Sequence, residues 1–128
     1  RSLLECLIVN TYFDRLERKA FAALGVRLEA AASKKGATFQ REVAALDDEM
    51  HALIRAACPN RFLVDDAQRA MARCRPYRAL RSAEAEAPGA LLAERLAVVR
   101  AVAGGSVKGS AAALDRHIRG TLRHFTGK

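Results

Sequence analysis

Four side chains able to do chemistry stand on or beside apolar helix faces in this chain: Asp47, His51, Arg95 and His117. Asp47 and His51 are four residues apart, so on a helix they project from adjacent turns on one side. Such a pair offers one oxygen and one imidazole nitrogen to a shared point. A third imidazole from another helix would complete a set able to hold zinc, nickel or manganese, with positions left for an anion. The same spacing also describes a solvated acid–imidazole pair on a helix surface. Arg95 falls between Leu91, Val99 and Val102, near the centre of an apolar stripe. There a guanidinium either snorkels to an edge, pairs with a buried acid, or grips a carboxylate in a bidentate fork; Asp47 is the leading internal partner. Charge buried in a small bundle is costly unless compensated. The four are therefore expected to face one another across a cavity, around a ligand, a metal ion or each other.

The elements that must position them read as helices. From Ser2 to about Ser33, apolar residues recur at Leu4, Leu7, Ile8, Phe13, Leu16, Phe21, Leu24 and Leu28, a stretch long enough for two helices meeting near Arg15 to Lys19. Lys34-Lys35-Gly36 is a stop signal. The spacing of Phe39, Val43, Leu46, Met50, Leu53 and Ala57 predicts a helix from about Thr38 to Ala57. On its wheel Asp47 lies about 75° and His51 about 115° from the centre of the apolar face, on the flank. Pro59 ends it and Asn60 is a good N-cap for a helix from Arg61 to about Cys74, with Leu63, Ala67, Ala70 and Cys74 inward and Pro76 breaking or kinking the chain. Residues Ser82 to Gly89 read as a loop or a weak turn of helix. A helix from Ala90 to Ala103 follows, stopped by Gly104-Gly105, and Ser106 caps a last helix over Val107 to Phe125 with Val107, Leu114, Ile118 and Phe125 as its stripe. His117 borders that stripe, whereas His124 reads as an exposed cation near the helix end.

Composition agrees with packed helices. The 128 residues make one domain, 51% hydrophobic but only 5% aromatic, without Trp. No apolar run approaches the roughly 18 residues of a membrane span; the longest, Leu3 to Val9, is broken by Glu5. Cys6, Cys58 and Cys74 lack paired-ligand spacing and read as inert buried thiols in a reducing cytoplasm. The net charge of +8 is spread along the chain. Its densest run, Arg69, Arg73, Arg75, Arg78 and Arg81, reads as a solvated helix face, so direct DNA binding by this chain alone is not expected. Because it opens on Arg, the chain is read as a piece of a longer protein whose N-terminal part is missing.

Several stretches carry a family resemblance. Arg1-Ser2-Leu3-Leu4-Glu5 is similar to an opening Arg-x-x-Leu-Glu, and Asp47-Asp48-Glu49-Met50-His51 to Asp-x-x-Phe-His. Ala57-Cys58-Pro59-Asn60 resembles an Ala-x-Gly-Asn turn, Glu94-Arg95-Leu96-Ala97-Val98-Val99 resembles Glu-His-x-x-Ile-Leu, and Leu114-Asp115-Arg116-His117-Ile118 resembles a closing x-x-x-His-Leu. In this order they resemble the FCD domain, the C-terminal effector-binding domain of FadR-type regulators in the GntR family, over essentially the whole chain. The resemblance implies an all-α antiparallel bundle of six or seven helices around a central ligand cavity, and a dimer. It also implies an Asp and three His that hold a divalent metal, zinc or nickel, to which a small carboxylic acid effector attaches. Asp47, His51 and His117 stand at three of those ligand positions, and Arg95 stands where the pattern has its fourth, a His. Arg1 becomes a second effector contact. A guanidinium has no lone pair for a metal and repels a cation. Either a three-ligand metal site survives with Arg95 on the effector, or Arg95 replaces the metal with Asp47 as its counter-ion; the metal-free pocket is favoured on electrostatic grounds.

Three functions follow as expectations. The first is an effector sensor whose small carboxylate ligand shifts the placement of DNA-reading winged helix-turn-helix heads at the missing N-terminus of a homodimer. The second is a metal-dependent helical hydrolase using Asp47, His51 and His117, which would need a further acid or base near the site, where no clear candidate stands once Asp47 is a ligand. The third is a helical interaction module whose interior polar groups only fix the packing.

Overall fold

The computed structural model describes the backbone of residues 2–83 and 88–126, and the side chains of residues 4–73 and 89–120. Among the described residues there are six α-helices and no strand: α1 (Ser2–Tyr12), α2 (Arg18–Ala31), α3 (Gly36–Ala56), α4 (Arg61–Ala83), α5 (Pro88–Ala103) and α6 (Val107–Thr126). The expected junction in the first segment is a 3₁₀ turn, Phe13–Arg15, closed by the Leu16 N–H donating to the Phe13 carbonyl. Both sequence-read caps are made. Asn60 Oδ1 accepts from the Leu63 N–H at 3.2 Å, and Ser106 Oγ accepts from the Gly109 N–H at 3.0 Å.

Helices α2 and α3, α3 and α4, and α5 and α6 pack as consecutive neighbours, α1 lies chiefly on α6, and α5 is the hub, packed chiefly on α2 and α6 with α3 nearby. Its buried face is broad: Leu91 is covered, and Leu92, Leu96, Val98, Val99 and Val102 join Phe21, Leu24 and Leu28 of α2 and Leu114 and Ile118 of α6 in one continuous core. The turn between α5 and α6 is tight. The Ser106 N–H reaches back to the Ala101 carbonyl and the Gly105 N–H to that of Val102, a Schellman closure that needs Gly105 at a φ of 82°. Arg18, at the start of α2, donates Nε and Nη2 to the Ala103 carbonyl and pins the same end.

Four sequence expectations are corrected. Helix α4 runs past Pro76 to Ala83 instead of ending near Cys74. Helix α4 buries Ala67 and Met71, while Leu63 and Ala70 are only partly covered. On α1 the buried face is Glu5, Ile8 and Val9, and Leu7 is half exposed, because a carboxylate occupies the inward row that an apolarity pattern assigns to hydrocarbon. Val107 stands at the exposed start of α6, outside the core. Residues 84–87 of the expected loop, Arg1, and the side chains of Cys74, Pro76, His124 and Phe125 lie outside the described residues. No helix among the described residues is long and apolar enough to cross a membrane.

Candidate functional site

Asp47, His51, Arg95 and His117 are all buried, and they meet. The flank position read for Asp47 and His51 is corrected to the interior: α3 is packed by α1, α2, α4 and α5, so residues beside its stripe are covered as fully as the stripe itself. Asp47 Oδ1 is the centre. It lies 2.8 Å from His117 Nε2, 3.2 Å from Arg95 Nε and 3.6 Å from His51 Nε2. The two imidazole rings stack at 5.5 Å between centroids, 23° from parallel. Arg95 donates Nη1 to the Leu91 carbonyl one turn back, while its Nε is buried without a hydrogen bond of good geometry, the Asp47 contact being an ion pair only.

Two further acids complete the cluster. His51 Nδ1 is 2.6 Å from Glu5 Oε1, both side chains wholly buried, and His117 Nδ1 is 2.7 Å from Glu94 Oε1, whose side chain is about one-fifth exposed. The polar chain thus runs Glu5, His51, Asp47, His117, Glu94 and joins α1, α3, α6 and α5. Sequence reasoning found no carboxylate near the site besides Asp47; the structure brings two, each on the Nδ1 of a ring whose Nε2 faces Asp47. Two signals for Glu5 were present: a lone acid inside the run Leu3 to Val9, and its place in the stretch similar to Arg-x-x-Leu-Glu.

Electrostatics follow the geometry. Burial alone would raise the Asp47 pKa, but the Arg95 guanidinium, then His117 and His51, hold its carboxyl well below the ordinary 3.8. Burial works against a charged His51 as well, yet Asp47 and then Glu5 raise its pKa above the ordinary 6.5. Three acids against one arginine leave a deficit of two positive charges, which two imidazolium protons or one divalent cation would each fill.

The donor set fits such a cation. One ligand atom each from Asp47, His51 and His117 lie within 4.8 Å of one another, all buried. A cation held by three protein donors would keep further positions for an exogenous ligand. Both rings turn Nε2 inward and give Nδ1 to a carboxylate, the usual outer support of a metal-bound imidazole.

A family model described as the FCD domain matches residues 1–120 of the chain. No curated protein and no solved structure matches it.

Proposed function

Because the chain belongs to the FCD domain family, the effector-binding domain of GntR-family regulators, we propose that it is a sensor that holds a small carboxylate effector. In the proposed site Asp47, His51 and His117 bind a divalent metal, zinc or nickel, and Arg95 pairs with the effector's carboxylate. The observation that carries this is the convergence of three buried donor atoms on one point beside a buried guanidinium. Arg95 weighs against a cation only while its charge stands against a single acid; Glu5 and Glu94 supply the offset that Asp47 alone lacks.

The metal would supply a Lewis-acidic anchor for one carboxylate oxygen. The chain's own residues do the rest. Arg95 has an unsatisfied donor, Nε, for an incoming anion, and its Nη1 is already fixed on Leu91 so that the plane of the guanidinium is set. Binding shifts the balance between arrangements of the bundle, and a DNA-reading winged helix-turn-helix domain elsewhere in a homodimeric regulator responds. This is binding without turnover, so the chain acts as a regulator and not as an enzyme, in the cytoplasm where such a regulator meets DNA. Arg1 belongs to the proposal as a second effector contact.

The Asp47–Arg95 ion pair favours one second reading, a metal-free pocket in which the guanidinium alone receives the anion. Thermal shift separates the two. Zinc or nickel alone should raise Tm, and dicarboxylates, sugar acids, lactate-like acids or short fatty acids should add to that rise. A rise with carboxylates in excess chelator supports the metal-free pocket. If no metal and no acid, alone or combined, moves Tm, effector sensing at this site is refuted.

A further inference from the structure

Two buried or half-buried acids, Glu5 and Glu94, are not among the ligands proposed above, yet each touches one of them. We infer that they are positioning residues: each holds the proton of an imidazole Nδ1, so that both Nε2 atoms face Asp47 as nitrogen donors. This rests on the site proposed above.

The physical reasoning starts from the ring. A neutral imidazole carries one N–H and one lone pair, and the hydrogen bond made by one nitrogen decides which is which. An ionised carboxylate only accepts, so a nitrogen placed on it carries a proton. Without a cation that holds for His117 Nε2 on Asp47 too, and a metal at Nε2 would displace that proton while the glutamate keeps the one on Nδ1. In this bundle the pattern occurs twice. His51 of α3 gives Nδ1 to Glu5 of α1 at 2.6 Å, and His117 of α6 gives Nδ1 to Glu94 of α5 at 2.7 Å. Each glutamate comes from a helix other than that of its histidine, and both Nε2 atoms are directed at the same Asp47 oxygen. An ion pair whose task is only to join helices would not require both rings to present the same nitrogen to one point. The cost of placing Glu5 where no water reaches it is also explained, since its partner must accept a fixed orientation in return.

The ring nitrogens report directly. Long-range ¹H–¹⁵N spectra of the zinc-loaded chain should show both His51 and His117 protonated at Nδ1 and metal-bound at Nε2. Glu94→Ala should lose the protected Nδ1–H signal of His117 and weaken zinc binding by roughly 10- to 100-fold. Glu94→Gln, whose amide oxygen still accepts, should keep the signal and lose less. Glu5→Gln is the matching variant on α1, where truncation of a fully buried side chain threatens folding. Zinc bound through Nδ1 of either ring overturns the inference, as does Glu94→Ala with unchanged signal and affinity. If the wild-type chain takes no zinc, the metal assignment fails by itself. The metal-free spectra then decide: Nδ1–H signals lost on substitution of the glutamates support the positioning role, and their absence from the wild type refutes it.

Discussion

Asp47 is the residue on which the interior charge depends, since Arg95, His51 and His117 all lean on one of its oxygens. Asp47→Asn keeps the shape and removes the charge, leaving Arg95 without its buried counter-ion; breaking a pair of this kind costs about 3–5 kcal/mol, to be read as a shifted urea midpoint. The pH profile of the metal-free chain follows from two opposite shifts. Asp47 is depressed, so its contribution is complete above its unfolded value near 3.8 and is lost as pH falls through the folded one. His51 is raised, so its contribution is complete below its unfolded value near 6.5 and is lost as pH rises through the folded one. Stability in chelator should therefore peak between those two unfolded values, and His51→Gln should flatten the alkaline side. The residues that converge were legible because they interrupt or flank apolar stripes. Glu94 was visible only as a matched residue of the family pattern; its helix position is ordinary for a solvated residue, and the approach of α6 brings His117 onto it.

At the scale of elements, local chemistry placed most boundaries. Asn60 and Ser106 cap the helices their positions announce, and Gly105 closes α5 because only glycine takes its backbone conformation without strain. Ser106→Ala should cost about 1 kcal/mol through the lost cap on α6, measurable by denaturation. It should also loosen His117, which that helix carries, and so weaken zinc binding alongside stability; an unchanged zinc affinity would mean the cap acts on stability alone. What local chemistry missed has two causes. Where an element buries charge, apolar periodicity points to the wrong row, as on α1, where Glu5 is covered and Leu7 is not. Pro76 failed as a stop for a different reason: an internal proline removes one backbone bond, and a long helix can continue through the loss.

Across the whole molecule, the six clustered side chains come from four helices, so a ligand at their centre should stabilise all four together. Zinc at about a hundred times its Kd should add roughly 2.7 kcal/mol to unfolding. Amide exchange should slow along α1, α3, α5 and α6, with α4 the least changed; slowing confined to α3 would contradict a shared centre. The bundle as a class was readable from composition and stripe spacing, while the order of packing was not, because α5 is apolar over too broad an arc to show which neighbour takes which side. Glu94, Arg95 and His117 belong to a single hairpin, α5 and α6, fastened at its tip by Gly105 and Arg18, whereas Glu5, Asp47 and His51 belong to α1 and α3. Whatever occupies the middle is accordingly a buckle between two straps. How hard it is to extract and how stiffly the domain is held shut are one and the same quantity.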